Sequence, residues 1–216
     1  MQQKGTEERA PPRALRIGDK APVFQARSTR GEVRLDQYRG RWTLFFSHPA
    51  DFTPVCTSEF VALAKAAPRF AALGCELLGL SVDSLYAHLA WVRAIQEIFG
   101  VVVPFPVIED PSMAIGRAYG MIDETVQDSS AMRAVYYIDP EGVIRAMSWY
   151  PLTVGRSVEE MLRLASALQR TASGEVMTPE GWRPGDDLLL PPALTMAEVG
   201  KPGARPDWFY RSCKDK

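Results

Sequence analysis

The sequence predicts an α/β fold with a central mixed sheet flanked by helices and a C-terminal extension arm. Three observations support this prediction. Apolar residues make up 46% of the 216 residues and charged residues 24%, proportions typical of a globular protein that buries a core. Short apolar runs of strand type alternate with segments whose apolar residues recur at helical spacing, which favours a sheet covered by helices. From about Thr171 onward this alternation gives way to a proline-rich segment with little periodicity.

The N-terminal quarter of the chain contains the first predicted strands. Residues 1–14 are polar and are expected to form a flexible lead-in. The short runs 21–24 and 33–35 are candidate strands. The aromatic and apolar run 42–47 is bounded by a glycine and a proline, which predicts a buried central strand.

Helices and strands continue to alternate through the rest of the domain. The predicted elements are a helix over 58–73, a strand over 75–82, a helix over 87–99, a strand over 105–108, a short helix over 113–119, a β-hairpin over 134–138 and 143–147, and a helix over 157–169. Pro68 is expected to kink or divide the first helix. Ser157 is the expected N-cap of the last helix, and Glu160 the partner that completes a capping box.

These elements predict an organisation in three segments. The flexible lead-in is followed by an α/β domain over residues 15–170 and by an extension over 171–216. An independent domain as small and irregular as the extension would not stay folded. We therefore expect it to pack on the main domain or on a partner subunit.

Charge and cysteine content exclude several classes of protein. The formal net charge of -1 gives no electrostatic footprint for nucleic acid or an anionic membrane surface. Three cysteines, Cys56, Cys75 and Cys213, are too few for a disulfide scaffold. The two histidines, His48 and His88, leave too few ligands for a closed zinc site. Without an apolar N-terminal stretch or a run of about 20 apolar residues, a cytoplasmic protein is expected.

Cys56 lies where the predicted central strand passes through a loop towards a helix. Thr53 is a favourable N-cap residue and Pro54 suits the first helical position, so Cys56 falls in the first turn. Free backbone N–H groups and the positive end of the helix favour a thiolate there. A lone cysteine at such a junction is also commonly a small buried hydrophobe. The position alone leaves both interpretations open.

A helix end alone does not ionise a thiol. An unperturbed thiol is only a few per cent ionised near neutral pH, and making it mostly thiolate requires about 3 kcal/mol. One helix end contributes about 0.3–2 kcal/mol. A reactive thiolate at Cys56 therefore needs a cationic partner from elsewhere in the chain.

The residues around Cys56 carry a resemblance to a known family. Pro49, Thr53 and Cys56 form Pro-x-x-x-Thr-x-x-Cys, which is identified as the peroxidatic signature of the peroxiredoxins. Further similar segments follow in the same order: LSVDS at 80–84, HLAW at 88–91, YYIDPEG at 136–142 and VGRSVEEMLRL at 154–164. The resemblance covers about residues 15–210 and implies a thioredoxin-like fold. SHPADFTPVCT at 47–57, GWRPGD at 181–186 and the long tail resemble the one-cysteine, peroxiredoxin-six type branch.

The resemblance implies a thiol-dependent peroxidase that reduces hydrogen peroxide and alkyl hydroperoxides in antioxidant defence. Cys56 would attack the peroxide as a thiolate and become a sulfenic acid. Thr53 would hydrogen-bond the peroxide oxygens, and Pro49 would shield the sulfur from bulk water. Backbone N–H groups of Val55 and Cys56 would stabilise charge on those oxygens. Arg133 matches the family's active-site arginine and would supply the cation.

Three further residues are expected to support this site. Arg156 resembles a second family arginine and would form an ion-pair network with Glu59; a solvated surface charge is the alternative for each. His48 precedes Pro49 and is expected to border the pocket and modulate it. The family needs no metal ion or organic cofactor.

The sequence does not determine which thiol reduces the sulfenic acid in the second half of the predicted cycle. The resolving cysteine of two-cysteine peroxiredoxins is absent, since residues 175–179 are Glu-Val-Met-Thr-Pro. Cys75 begins a predicted buried strand and is interpreted as a core residue. Cys213 lies in a polar, basic end and is a possible resolving thiol. The alternative is a one-cysteine cycle that uses glutathione, thioredoxin or a similar thiol.

By resemblance the extension would embrace a second subunit in a homodimer, and dimers could assemble into a decamer-type ring. Two other functions remain as alternatives. A thioredoxin-like disulfide oxidoreductase would share the fold, but it normally needs Cys-x-x-Cys, and Thr53 occupies the position of the first cysteine. A chaperone-type holdase could use the aromatic residues of the tail.

Overall fold

The fold is described from a computed structural model of the chain, covering residues 14–122, 132–201 and 205–215. The segment expected to form a flexible lead-in, residues 1–14, lies outside the described residues except for its last residue.

Seven strands form one mixed sheet. They are β1 Gln25–Ser28, β2 Gly31–Arg34, β3 Trp42–Ser47, β4 Cys75–Ser81, β5 Val107–Glu109, β6 Arg133–Ile138 and β7 Ile144–Tyr150. Their order across the sheet is β2-β1-β5-β4-β3-β6-β7. The pairs β3–β4 and β4–β5 are parallel, and the other pairs are antiparallel. The predicted mixed sheet and the interior position of β3 are confirmed.

Helices cover both faces of this sheet. They are α1 Pro54–Ala72, α2 Leu85–Phe99, α3 Ala114–Ala118 and α4 Val158–Arg170, together with a 3-10 helix over Leu35–Tyr38. The core on one face joins α1, α2 and α4, and the core on the other face includes the 3-10 helix and α3. Among the described residues, no helix combines the length and the apolar character that crossing a membrane requires.

Strand β3 shows why its sequence is apolar without interruption. Phe45 packs in the core on the α3 face, and Phe46 packs in the core on the α1 face. Successive side chains of a strand point to opposite faces, so a strand covered on both sides has no solvent-facing position. This arrangement carries the chain to Ser47 at the edge where the following loop begins.

The first strand lies four residues later than the sequence pattern predicts. Residues 21–24 form no regular strand, and Ala21 N–H donates to the Gly142 carbonyl of the β6–β7 turn at 2.9 Å. Pro22 has no N–H to donate to a ladder. Regular pairing therefore starts only at Gln25, opposite Arg34 of β2.

Helix α1 is continuous from Pro54 to Ala72, so the expected division at Pro68 does not occur. A proline inside a helix costs about 3 kcal/mol. Leu63 and Phe70, on either side of Pro68, are fully buried, and burial of one such side chain contributes about 1.5–3 kcal/mol. Packing on both sides of the proline offsets its cost.

Helix α4 begins as predicted but without the reciprocal bond of a capping box. The Ser157 hydroxyl accepts from the Glu160 N–H at 3.2 Å, which confirms the N-cap. The Glu160 carboxylate accepts from Arg163 Nε at 2.6 Å, one turn further along. An arginine within reach on the same helix face provides a charged donor.

The C-terminal extension contains three short elements, β8 Leu188–Leu190, α5 Met196–Val199 and β9 Arg211–Cys213. Strands β8 and β9 pair antiparallel, with Leu188 opposite Cys213. Leu188 and Trp182 are buried against Ala167 of α4. Trp182 and the β8–β9 pair of the described extension therefore pack on α4, the last helix of the main domain.

Candidate active site

Cys56 is the third residue of α1 and is fully buried. Thr53 occupies the N-cap position with extended backbone angles, and Pro54 is the first helical residue, as the sequence predicts. The Thr53 hydroxyl donates to the Ala50 carbonyl at 2.8 Å rather than capping a helix N–H. Because Pro54 has no N–H, the amides of Val55 and Cys56 are the first donors at the positive helix end.

The loop between β3 and α1 holds one residue in an unfavourable backbone conformation. Phe52 has a φ of 57°, in the left-handed region, which costs a non-glycine residue of the order of 1 kcal/mol. Its side chain is exposed. The preceding residue is anchored, since Asp51 N–H donates to Asp83 Oδ2 at 3.0 Å. This turn lets the chain leave the sheet edge and enter α1 with Cys56 pointing inward.

The Glu59 carboxylate, one turn after Cys56, accepts hydrogen bonds from two buried arginines. Arg156 donates to Oε1 from its backbone N–H at 2.7 Å and from Nε at 2.9 Å. Its Nη2 donates to Oε2 at 2.7 Å, and Arg133 Nη1 donates to Oε2 at 2.9 Å. The exposed fraction of each of these three side chains is at most 3%. The structure therefore joins Glu59, Arg133 and Arg156, which the sequence alone could have left as surface charges.

Arg133 connects this cluster to the sulfur. Its Nη1 lies 3.4 Å from Cys56 Sγ. Its Nε and Nη2 donate to the Leu152 carbonyl at 2.9 and 2.8 Å, which fixes the plane of the guanidinium. These bonds, with the one to Glu59, use four of the five N–H donors of an arginine. One donor is left for a further acceptor.

The cluster contains two positively charged side chains and only one negatively charged side chain. Arg133 and Arg156 face a single carboxylate, Glu59. The other acceptors of Arg156 Nη1 are the carbonyls of Ser47 and Ala134, each at 2.9 Å and each uncharged. An uncompensated buried charge costs several kcal/mol. An anionic sulfur beside Arg133 removes that cost.

Glu59 is ionised in this environment. Burial alone raises the pKa of its carboxyl group. The hydrogen bonds and charge of Arg156, with a smaller effect of the Arg133 charge, outweigh burial and hold the pKa below its ordinary value. The carboxylate therefore balances one arginine at neutral pH and leaves the other for Cys56.

His48 and Asp51 form a second buried network in the same loop, together with His88 of α2. His48 Nε2 lies 2.8 Å from Asp51 Oδ1, and His88 Nδ1 lies 2.7 Å from Asp51 Oδ2. Burial lowers the pKa of His48 more than Asp51 raises it. Burial raises the pKa of Asp51, but the bonds from the two imidazoles bring it below its ordinary value.

These three side chains also form the group of potential metal ligands found within the described part of the chain. Both carboxylate oxygens of Asp51 already lie at hydrogen-bond distance from an imidazole nitrogen. The atoms that would ligate an ion are thus engaged with one another. The arrangement fits a hydrogen-bond network at the base of the loop.

Pro49 and His48 are both buried at the start of this loop. His48 packs edge-on against Phe60 of α1, with ring centroids 4.8 Å apart, and lies 5.1 Å from Trp91 of α2. The structure gives no hydrogen bond between His48 and Cys56. His48 therefore lies at the start of the loop and packs between α1 and α2.

Cys75 is buried at the first position of β4. Burial raises the pKa of its thiol to about 12, and the neighbouring Glu76 adds to the effect. It lines an open, largely apolar cavity of about 470 Å³ beside the C-terminal half of α1. Its environment is that of a neutral thiol.

Cys213 does not lie in the polar, basic surroundings that its sequence neighbours suggest. It is partly buried in β9 and packs against the cluster of Ala167, Trp182 and Leu188. Arg156 lies just before the start of α4, and Ala167 is nine residues beyond Val158, about 13 Å along the helix. A disulfide needs Cα atoms within about 7 Å. Within one chain, Cys213 would have to leave its strand to reach Cys56.

Sequence reasoning missed two participants near the site. Asp51 lies inside the loop motif without an expected role of its own, and the sequence indicates His88 only as a potential zinc ligand and as the first residue of the HLAW segment. Both are fully or nearly fully buried, and 37 residues separate them in the chain. The signal available was the HLAW segment at 88–91, which begins with this histidine.

Two family models match the chain. The AhpC/TSA family matches residues 17–147, and the C-terminal domain of 1-Cys peroxiredoxin matches residues 167–201. A peroxiredoxin of Methanosarcina mazei is 43% identical over 213 residues, covering 92% of this chain and 97% of the relative. A peroxiredoxin 2 of Thermoplasma acidophilum is 43% identical over 202 residues, covering 92% and 100%.

Solved structures show the same relationship. A structure of yeast mitochondrial 1-Cys peroxiredoxin superposes with a TM-score of 0.82 at 39% identity, covering 93% of this chain and 100% of the other. A cysteine-to-serine mutant of peroxiredoxin 6 of Arenicola marina gives a TM-score of 0.78 at 33% identity, covering 86% and 88%. The fold is thus the thioredoxin-like fold of the peroxiredoxins. With a family model over more than half of its length and relatives above 40% identity over nearly all of it, this chain belongs to the AhpC/TSA family and is a peroxiredoxin, a thiol-dependent peroxidase.

Proposed function

We propose that this peroxidase reduces hydrogen peroxide and alkyl hydroperoxides at Cys56, through a sulfenic acid that a thiol reductant recycles. One observation carries the assignment of the residue. Cys56 Sγ lies 3.4 Å from Arg133 Nη1, in a buried cluster of two arginines and one carboxylate. A thiolate at that position completes the charge balance.

The chemical step follows from this placement. The Cys56 thiolate attacks the terminal oxygen of R–O–OH, and the S–O bond forms as the O–O bond breaks. Sulfur is oxidised by two electrons and the peroxide is reduced by two. The leaving oxygen takes a proton and departs as an alcohol, or as water from hydrogen peroxide. Cys56 is left as the sulfenic acid.

Three groups would orient the peroxide. The remaining N–H of Arg133 and the amides at the start of α1 would donate to the peroxide oxygens, because such preorganised donors stabilise developing charge. Thr53 would turn its hydroxyl from the Ala50 carbonyl towards the peroxide. Buried Pro49 would keep bulk water from the sulfur.

Glu59 and Arg156 would act through Arg133 rather than on the substrate. Glu59 holds Arg133 Nη1 at 2.9 Å, and Arg156 fixes both oxygens of Glu59. This chain of bonds sets where the guanidinium meets the sulfur. We assign His48 a modulating role, because it is buried and directly precedes Pro49 in the loop between β3 and α1.

The reductant is proposed to be a separate thiol, glutathione or thioredoxin. The yeast mitochondrial 1-Cys peroxiredoxin structure concerns thiol resolution via glutathione/thioredoxin systems. Cys213 packs in the tail cluster, which favours an external thiol over resolution within one chain. Resolution by Cys213 of a partner subunit is the second candidate, because a tail that embraces a partner would bring it to another active site.

We propose that residues 171–216 are a dimerisation extension and that dimers assemble further into a ring. The exposed Phe209 and Tyr210 of the extension offer apolar surface for a partner. A reducing cytoplasm is the proposed location, since it supplies the thiols that the cycle consumes.

A matched pair of variants tests the assignment of the thiol. Cys56→Ser is expected to abolish peroxide consumption with glutathione or thioredoxin as reductant, whereas Cys75→Ser is expected to keep it. Non-reducing mass spectrometry after one equivalent of peroxide then identifies the product. A sulfenic acid on Cys56 supports the one-cysteine cycle, and a Cys56–Cys213 crosslink supports tail resolution. Wild-type consumption by Cys56→Ser would refute the proposal.

A further inference from the structure

His88 is a fully buried histidine of α2 that the proposed chemistry does not use. Its imidazole faces an acceptor at both nitrogens. Nδ1 lies 2.7 Å from Asp51 Oδ2, and Nε2 lies 3.3 Å from the Ile108 carbonyl. The shorter contact is to a carboxylate, which accepts and cannot donate when ionised. Nδ1 of His88 is therefore protonated and donates a hydrogen bond to Asp51 Oδ2.

The same reasoning fixes the tautomer of His48. Its Nε2 faces the other carboxylate oxygen of Asp51 at 2.8 Å, so Nε2 is also a donor. Burial keeps the ring neutral by lowering its pKa, and a neutral imidazole has one N–H. Nδ1 of His48 is therefore an unprotonated nitrogen, and it is a buried atom without a hydrogen-bond partner.

Asp51 thus depends on α2 for its placement. Its backbone N–H is held by Asp83 and its two carboxylate oxygens by the two histidines. His88 is the one of these partners that comes from a helix. Trp91, one turn further along α2, packs on His48 and donates from Nε1 to Thr57 Oγ1 at 3.2 Å. Helix α2 therefore stabilises the active-site loop through the contacts of His88 with Asp51 and of Trp91 with His48.

We propose that His88 is a positioning residue for the reaction at Cys56: acting through Asp51, it fixes the tautomer of His48 and the shape of loop 48–53. The inference rests on the proposed roles of Pro49 and Thr53 in that loop. A carboxylate that loses its His88 donor is free to rotate away from His48. Outer partners that orient metal-ligating histidines change affinity or activity by about 10- to 100-fold when they are mutated, and we expect an effect at the lower end of that range here.

Two amide substitutions separate positioning from simple packing. In His88→Asn, the side-chain amide can replace Nδ1 and still donate to Asp51. In His88→Gln, the amide reaches instead towards the position of Nε2 and the Ile108 carbonyl. Both variants remove the ring and keep one amide, so they form a matched pair for loss of packing.

The rate constant for single-turnover oxidation of Cys56 is measured at several peroxide concentrations by acid quench and mass spectrometry. We expect His88→Gln to slow it about tenfold or more and His88→Asn to stay within about threefold of wild type. Melting temperatures of the two variants are expected to fall equally. Equal rate losses in the two variants, or wild-type rates in both, would overturn the proposal.

A measurement on the wild-type protein does not depend on how the variants fold or on turnover. Nitrogen-15 NMR of the histidine rings is expected to show His48 neutral and protonated at Nε2. Protonation of His48 at Nδ1 would overturn the proposal, even with full peroxidase activity. If the wild-type protein shows the expected His48 tautomer but does not reduce peroxide, the result would instead count against the function proposed for the loop.

Discussion

Helix α1 has a buried thiol near each end, and the two ends place them in opposite environments. Cys56 is the third residue of the helix, with Arg133 Nη1 3.4 Å from its sulfur. Cys75 follows the C-terminal end beside Glu76, and its pKa is raised to about 12. The exposed fractions of the two residues are similar, 0% and 5%. Burial alone therefore does not set the charge environment of a thiol, since two similarly buried thiols lie beside an arginine at Cys56 and beside a glutamate at Cys75.

Access to solvent does not explain the difference either. Cys75 lines an open cavity of about 470 Å³, whereas Cys56 is fully buried. The more accessible thiol has the environment that disfavours its thiolate. The helix dipole is positive at the N-terminal end and negative at the C-terminal end. The positive charge of Arg133 at Cys56 and the negative charge of Glu76 at Cys75 have the same signs and add to it.

The largest expected effect is in alkylation. At pH 7, iodoacetamide is expected to modify Cys56 much faster than Cys75, because the attacking species is the thiolate and the pKa of the Cys75 thiol is raised to about 12. Peptide mass spectrometry of timed samples measures both rates. In denaturant the two rates should converge, since the environments are lost. Faster labelling of Cys75 in the folded protein would reverse the comparison.

Removal of the cation at the Cys56 end is expected to have the next largest effect. Arg133→Leu leaves Glu59 balanced by Arg156 alone, so no surplus charge stabilises the thiolate. The rate constant for peroxide reduction should fall about 10²- to 10³-fold, as for loss of one preorganised donor. Stopped-flow measurement of peroxide consumption tests this.

The control for this variant is Arg41, which directly precedes β3 and lines the cavity beside the C-terminal half of α1. Arg41 borders the Cys75 cavity and pairs with Glu76 at the surface. Arg41→Leu is expected to retain the wild-type rate constant. Similar losses in both variants would indicate a general effect of charge rather than the local one at Cys56.

Glu59→Gln tests the stability of the buried cluster. Removal of one partner from a buried ion network costs about 3–5 kcal/mol, and urea unfolding at pH 7 measures it. Glu159→Gln is the control, because Glu159 pairs with Arg69 at the surface, where both side chains are more than half exposed. The control should leave the free energy of unfolding nearly unchanged.

The same network predicts how stability depends on pH. The folded-state pKa of Glu59 lies below its ordinary value of 4.5. Its contribution to stability is therefore complete above about pH 4.5 and is lost as the pH falls through the folded-state pKa. Wild type should lose more stability than Glu59→Gln over that acidic range. Parallel pH profiles for the two proteins would contradict this.

The smallest expected effect is at Cys75, beyond the C-terminal end of α1. Cys75→Ala removes a small buried group beside an existing cavity and should lower the free energy of unfolding by about 1 kcal/mol. Peroxide consumption should be unchanged. Thermal unfolding and a peroxide assay on the same preparation test both statements. A slowed first turnover in this variant would connect the two ends of α1 in a way that the geometry does not.

Much of the fold follows from local pattern. The uninterrupted apolar run of β3 and the Thr53-Pro54 start of α1 were predictable, because each is set by neighbouring residues. The start of β1 was misplaced, since Pro22 lacks the N–H that pairing needs. Continuity of α1 through Pro68 could not be predicted, because the burial that offsets the proline comes from distant elements.

For the site, the sequence by itself determined which thiol stands at a helix start and that this thiol needs a cation. Those conclusions depend on residues within a few positions of Cys56 and on the limited strength of a helix dipole. Only the tertiary structure decided which charges are buried together, that Arg133 and Arg156 share one carboxylate, and that Cys213 packs against α4. Such contacts join residues 20 to 100 positions apart, and the charge balance that they produce exists only once the chain is folded.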